Sequence, residues 1–170
     1  MLPEQFCVRM KEMLGEEYAA FYASYDLPKY QALRINPLKT ERDTFLLQAP
    51  FSLNRVPWTT NGYYYSGNDQ PGRHPYHEAG VYYIQEPSAM APAEYLMAEP
   101  GERILDLCAA PGGKSSQIAC SMQGEGLIVC NEIHPARAKI LSENIERMGI
   151  KNALVLNETP EQLAEHFPVC

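Results

Sequence analysis

The stretch Arg103-Ile-Leu-Asp-Leu-Cys-Ala-Ala-Pro-Gly-Gly-Lys-Ser-Ser-Gln-Ile-Ala119 reads as a buried strand, a glycine turn and the start of a helix in one run. Ile104, Leu105 and Leu107 make a short apolar strand that carries Asp106 at its end. Pro111 stiffens the turn, and Gly112 and Gly113 omit the Cβ atoms that would block a ligand. A helix then runs over residues 114–122. Its first N–H groups have no partner within the helix, so they and the positive end of the macrodipole face whatever lies over the turn. The reading is a cofactor loop that accepts an anionic group.

What the loop lacks decides which ligand it takes. A dinucleotide fingerprint requires G-x-G-x-x-G, and a P-loop requires a glycine five residues before Gly113, where Cys108 stands. A second apolar strand, over residues 127–131, follows the helix and runs into Glu132, nineteen residues beyond Gly113. In doubly wound folds an acidic residue roughly 20 residues after the glycine turn accepts hydrogen bonds from ribose hydroxyls at the carboxyl edge of the sheet. Ile133 is placed to cover an adenine face. A ligand with a carboxylate, an ammonium, a ribose and an adenine but no pyrophosphate meets these conditions, and S-adenosylmethionine is such a ligand. Asp106 would hold its ammonium. A plain strand-to-helix turn is the bland alternative, and it leaves Asp106 and Glu132 unexplained.

Working outward, residues 135–148 form an amphipathic helix with Ala138, Leu141, Ile145 and Met148 on one face and Gly149 as its stop. A third strand is expected at residues 153–157 and a further helix at 160–166. Glu158 then reaches the same carboxyl edge as Asp106 and Glu132. The fold class is α/β, a partial doubly wound (Rossmann-like) sheet.

These segments carry a resemblance. Asp106-Leu-Cys-Ala-Ala-Pro-Gly-Gly-Lys-Ser-Ser-Gln-Ile-Ala119, Asn131-Glu-Ile-His-Pro-Ala-Arg137 and Asn144-Ile-Glu-Arg-Met-Gly149 resemble the Sun/Nop family of RNA 5-methylcytosine methyltransferases. Leu33-Arg-Ile-Asn36 and Gly80-Val-Tyr-Tyr-Ile-Gln-Glu-Pro-Ser-Ala-Met90 are similar to its bacterial ribosomal RNA branch. The resemblance implies S-adenosylmethionine on the loop formed by Asp106, Cys108, Ala109, Ala110, Pro111, Gly112, Gly113 and Lys114. It places Lys114 between cofactor and target base, whereas the bland reading is an exposed helix lysine. Arg137 either touches the cofactor or pairs with Glu132. The family has an aspartate at the third strand edge; here Asn157 or Glu158 must serve. It also implies an RNA substrate, ribosomal RNA favoured over transfer RNA, a monomer when complete, and covalent catalysis in which a thiolate attacks cytosine carbon 6. The family's two catalytic cysteines lie beyond residue 170, so no catalytic residue is assigned and the chain is expected to be the amino-terminal part of such an enzyme. A methyltransferase of another substrate class, or a non-catalytic RNA-binding stretch, are the competing functions.

Upstream, residues 3–14 and 16–24 read as two helices, with Phe6, Met10, Met13 and Leu14 as a core-facing stripe. A strand is expected at 31–36, with Arg34 as the polar residue between Leu33 and Ile35, and a helix at 40–47 capped by Thr40. Strands at 51–56 and 63–65 flank Asn61-Gly62, a hairpin signal. Together these make a small α+β module, which the resemblance casts as an RNA-positioning unit. Residues 68–75 are the linker candidate, which sets a boundary near Ala79 between units 1–79 and 80–170. The next strand is expected at 80–85 and a helix at 87–97. Six of the eleven tyrosines fall between residues 63 and 83; sheet packing explains them more simply than base stacking.

Composition sets outer limits. The 170 residues carry a formal charge of −7, which disfavours a protein that grips nucleic acid by bulk electrostatics. Five cysteines without a C-x-x-C pair suit reduced thiols and a cytoplasmic setting. His74 and His77, with no cysteine nearby, do not define a metal site, and neither a leader nor a membrane span is expected. Cys108 is expected to be a small buried residue facing the sheet.

Overall fold

The computed structural model describes residues 2–167. The amino-terminal half centres on an antiparallel sheet of β1 (Ala32–Ile35), β2 (Leu53–Arg55), β3 (Gly62–Tyr65) and β4 (Tyr82–Ile84), ordered β2-β3-β1-β4. Leu33 pairs with Tyr63 on one side and Ile84 on the other, so β1 is central. Leu33 and Ile35 pack with Phe45, Tyr63 and Tyr82 beneath helix α3 (Arg42–Gln48), while Ala32 joins Val56 and Met90 on the opposite face. All four β1 residues are buried, Arg34 included, because both faces are covered.

Several expectations are corrected here. Asn61-Gly62 is not a two-residue turn: Gly62 already belongs to β3, and residues 56–61 form a longer loop closed by Val56 N–H donating to Gly62 O. Thr40 does not cap α3; the helix starts after Glu41 without a side-chain cap, and the Thr40 hydroxyl donates to Glu41 O. Helices α1 (Glu4–Leu14) and α2 (Tyr18–Ala23) form as read, but neither buries a residue. Phe6 of α1 packs against Phe21 of α2 and against Tyr25 in the 3-10 turn that follows, instead of entering a core. The strand placed with the second unit, β4, hydrogen-bonds to β1 in the first sheet. Residues 68–75 run between two strands of that sheet, and Pro71 is buried there, its carbonyl accepting from the Tyr82 hydroxyl. A short helix, α4 (Pro75–Glu78), follows, with His74 Nδ1 accepting from Tyr76 N–H at its start. Packing explains the tyrosines at 63, 82 and 83, which are all buried.

The carboxyl-terminal half begins with a 3-10 turn at Ser88–Met90 and helix α5 (Ala91–Leu96). Strands β5 (Arg103–Asp106), β6 (Leu127–Asn131) and β7 (Ala153–Leu156) follow, parallel and in the order β5-β6-β7. Parallel neighbours need long crossovers, which α6 (Gly113–Ser121) and α7 (Pro135–Arg147) supply; α8 (Pro160–His166) follows β7 behind a Thr159–Gln162 capping box. Ala138, Leu141, Ile145 and Met148 line the buried side of α7 and meet Ile128 and Cys130 of β6, as the periodicity predicts. The expected α/β class holds, a partial doubly wound sheet behind an α+β module. Among the described residues no helix is long and apolar enough to cross a membrane.

The two sheets are tied by buried polar groups. Asn36, fully buried at the end of β1, donates from Nδ2 to both Gly80 O and Met148 O at 2.8 Å. Gln117 of α6 donates to Met90 O and to Glu94, whose carboxylate also accepts from Thr59 and Thr60. Protein therefore surrounds the middle of helix α6, where six consecutive residues from Ser115 to Cys120 are buried.

Candidate cofactor-binding site

Three acidic residues stand along the carboxyl edge of the parallel sheet. Asp106 ends β5, Glu132 follows β6 and Glu158 lies two residues past β7; the register aligns Asp106 with Cys130 and Asn131 with Leu156. The Asp106 carboxylate is held at both oxygens, Oδ2 accepting from the Ser115 hydroxyl at 2.7 Å and Oδ1 from Cys108 N–H at 3.2 Å. An ionised carboxylate offers about four acceptor positions, so Asp106 keeps capacity for an ammonium.

The turn after β5 is fixed by its carbonyls. Arg137 Nη2 donates to Ala110 O at 3.0 Å, while Asn144 Nδ2 at 2.8 Å and the Tyr83 hydroxyl at 3.4 Å donate to Pro111 O. Ala109 N–H donates across to Asn131 O, and Gly112 N–H closes the turn on Ala109 O. Ala109 and Ala110 are buried under this network. Gly112, with φ +110°, directly precedes helix α6, and no side chain caps the first amides of that helix.

The glycines serve a purpose other than the one expected. A Cβ on Gly112 would lie 3.2 Å from Leu141 Cδ1, and one on Gly113 would lie 3.4 Å from Tyr83 Cε1. Both directions point into protein. Gly112 is required by its positive φ and by the close approach of α7, whereas a Cβ on Gly113 would make ordinary contact with Tyr83 and Gln85, so neither direction faces open space. Cys108 is corrected as well: it is exposed, because it lies beyond the strand on the rim of the turn. Cys120 and Cys130 are the buried thiols, and burial pushes Cys130 up to about 12, with the Asp106 charge adding to the rise and a Ser115 hydrogen bond opposing it. Cys170 lies outside the described residues.

At the second edge Glu132 is only 3% exposed. Its Oε1 accepts from His134 N–H at 3.0 Å and its Oε2 pairs with Arg137 Nη1 at 3.1 Å. The pairing with Glu132 is one of the two roles open to Arg137. Ile133, just beyond, is half exposed. At the third edge buried Asn131 clamps the backbone of Glu158, donating to its carbonyl and accepting from its N–H, while Asn157 Nδ2 donates to Glu132 O. The Asn157 amide is engaged, and the half-buried Glu158 side chain is the acidic group left at this edge. Lys114 is exposed on the first turn of α6.

The fold thus gathers Asp106, Cys108, Ala109, Ala110, Pro111, Gly112, Gly113, Lys114, Glu132, Arg137 and Glu158 around one sheet edge. It adds residues that the sequence reading did not single out: Ser115, which orients Asp106; Asn131, which sets the third edge; and Tyr83 and Asn144, which hold Pro111. Ser115 and Ser116 carried one usable signal. Two serines and a glutamine open a helix with little amphipathic contrast, as expected when both of its faces are covered.

A parallel sheet with acidic residues at successive carboxyl ends and a glycine turn before the first crossover helix defines the chain as a Rossmann-like methyltransferase fold. The NSun6 structure from Pyrococcus horikoshii with SFG superposes over 96% of this chain with a TM-score of 0.83 at 18% identity, a likeness of fold alone. A methyltransferase homolog protein from Pyrococcus horikoshii superposes over 97% of this chain and 55% of its own, with a TM-score of 0.85 and 28% identity. Residues 2–87 match the N-terminal domain of 16S rRNA methyltransferase RsmF, and residues 93–167 match 16S rRNA methyltransferase RsmB/F. The chain belongs to the RsmB/F family of 16S rRNA methyltransferases. Ribosomal RNA small subunit methyltransferase F of Enterobacter sp. strain 638 is 38% identical over 161 residues, 88% of this chain and 34% of that relative. Its counterpart in Erwinia tasmaniensis is 34% identical over 179 residues, 99% of this chain and 37% of that relative. The chain spans about a third of the length of the curated relatives it matches.

Proposed function

We propose that this chain forms the S-adenosylmethionine site of a ribosomal RNA methyltransferase whose target atom is cytosine carbon 5. The observation that carries the reading is the Asp106 carboxylate, fixed by Ser115 and Cys108 N–H beside a helix start that has no side-chain cap. The donor set fits the group. Asp106 would take the ammonium, the α6 amides the carboxylate, Glu132 the ribose and Glu158 the adenine amino group, with Ile133 against the ring. When bound, S-adenosylmethionine supplies an electrophilic methyl group. The Arg137 side chain lies over Glu132 and would have to share that carboxylate with a ribose. Lys114, exposed on the first turn of α6, would face the target base.

No described cysteine is assigned as the nucleophile. Cys120 and Cys130 are buried, and burial raises both thiols above their ordinary value, the opposite of what an attacking thiolate needs. The family relationship supports RNA, ribosomal rather than transfer, as substrate. The four described cysteines are free thiols, which supports a cytoplasmic setting. We place the division between an RNA-positioning module and the cofactor half after β4, near residue 87, because β4 completes the first sheet.

Isothermal calorimetry with S-adenosylmethionine tests the site. Asp106→Asn and Glu132→Gln each remove a charged acceptor, which usually costs about 1.5–3 kcal/mol, roughly tenfold to a hundredfold in affinity. Unchanged affinity in both variants refutes the assignment.

A further inference from the structure

Arg34 is the least expected residue in the molecule. It occupies the polar slot of an alternating strand, yet it is 2% exposed, and its guanidinium points out of the amino-terminal sheet into the start of α6. There Nη2 donates to the Ser116 hydroxyl at 2.7 Å, and that hydroxyl donates in turn to Gly113 O at 3.2 Å. The neighbouring Ser115 holds Asp106. Tyr83 adds a second strand of the same link: its ring lies 5.7 Å from the Arg34 guanidinium, and its hydroxyl donates to Pro111 O.

The cost of this arrangement is informative. Nε and Nη1 of Arg34 make no hydrogen bond to protein, and among the described residues no carboxylate lies within ion-pair distance of it. Burying a cation with so little compensation is unfavourable, and an apolar side chain of similar length usually serves an interface as well or better. Holding two halves together does not require a charge here. What the guanidinium does, and an apolar chain cannot, is fix the Ser116 hydroxyl on the first turn of α6.

We propose that Arg34 is a positioning residue for the methyl-donor loop: acting through Ser116 it sets the first turn of α6, and with it Ser115 and Asp106, so that the amino-terminal module controls cofactor affinity. This rests on the cofactor reading above, and the module thereby gains a role at the donor site besides any contact with RNA. A conformational link of this kind is expected to be worth at least about fivefold in affinity.

The test combines two measurements on the chain. Hydrogen exchange without ligand reads the order of residues 113–116, and calorimetry reads the S-adenosylmethionine Kd. Arg34→Met is expected to speed exchange of those amides on the order of tenfold. Its Kd should rise about fivefold to tenfold, while its melting temperature stays within about 5 °C because a buried charge has been removed. Ser116→Ala should do the same, and the double variant no more than either alone. Arg34→Lys keeps the charge and one donor and should fall between, which also serves if the methionine chain does not fold. Trp58→Phe, which deletes the Trp58 Nε1–Pro87 O bond between the halves without touching the relay, should move neither quantity. The proposal is overturned if Arg34→Met lowers the melting temperature but leaves exchange and Kd unchanged, or if the effects of Arg34→Met and Ser116→Ala add. Failure of the unaltered chain to bind S-adenosylmethionine would overturn the cofactor reading instead, and exchange in the free chain would still decide what Arg34 does.

Discussion

Helices α1 and α6 teach opposite lessons about amphipathicity. Helix α1 has a stronger apolar stripe than α6, yet it buries nothing, and Val8 and Met13 are 54% and 66% exposed. Helix α6 opens with polar residues and is buried from Ser115 to Cys120. The difference lies in their neighbours. Helix α1 leans on α2 and the turns that flank it, whereas α6 is enclosed by β6, α5 and the amino-terminal sheet, with Arg34 of that sheet as partner for Ser116 and with Met90 and Glu94 as partners for Gln117. A stripe states what a helix could bury; the surrounding fold decides whether it does.

The largest effect that sharpens this comparison comes from shortening one side chain on each helix. Ile118→Ala in α6 removes a core residue packed with Met122 and Ile128, and should cost about 2–4 kcal/mol. Val8→Ala in α1 should stay within about 0.5 kcal/mol. Both are read from urea unfolding midpoints. Equal losses would mean that α1 is packed as tightly as α6 in solution.

The same contrast explains what the sequence revealed. The parallel half was legible almost element by element, because Pro135, Gly149 and Pro160 punctuate it locally and each apolar run has a single reading. That Asp106 and Glu132 stand at the carboxyl ends of neighbouring strands was legible for the same reason: each closes a short apolar run, and Glu132 lies nineteen residues beyond Gly113. The order of the antiparallel sheet was not legible, since β4 joins β1 across almost fifty residues. Arg34 was legible only as the polar residue between Leu33 and Ile35, because alternation shows that a strand has two faces and not what covers them, and here the second face meets α6. The purpose of Gly112 and the exposure of Cys108 depend on where α7 and the rim of the turn lie, which no local signal encodes.

A middle-sized effect tests the tie between α6 and β1. Asn36 accepts from Leu38 N–H and from Cys120 Sγ of α6, and donates to two buried carbonyls. Asn36→Ala strands Gly80 O and Met148 O without a donor, and should cost about 2 kcal/mol. Asn36→Asp should cost more, since a carboxylate cannot donate to either carbonyl. A loss confined to one half in hydrogen exchange, with the other unaffected, would show that the two sheets open independently. A loss spread over both would show that Asn36 makes them one cooperative unit.

The smallest effect separates the two regions by titration. Cys130 lies beneath α6, fully buried, and its thiol is pushed up to about 12 from an ordinary 9.0, chiefly by desolvation. The folded chain therefore keeps this proton after the unfolded chain has lost it. Between pH 9 and 12 the unfolded state binds fewer protons than the folded one, so the contribution of Cys130 to stability is full below pH 9 and declines as pH rises toward 12. By pH 10 the loss is on the order of 1 kcal/mol. Tyr82, buried in the other core, is also pushed up to about 12 and adds a similar decline that starts from its ordinary 10.0. Cys130→Ala should make the first part of the alkaline arm shallower than in the unaltered chain and leave the parts due to Cys120 and Tyr82, while Val8→Ala in α1 should leave the whole profile superimposable. The measurement is the urea midpoint at pH 7, 9, 10 and 11. A Cys130→Ala profile parallel to that of the unaltered chain through this range would mean that water reaches the thiol under α6, and that the burial distinguishing α6 from α1 does not extend to the strand below it.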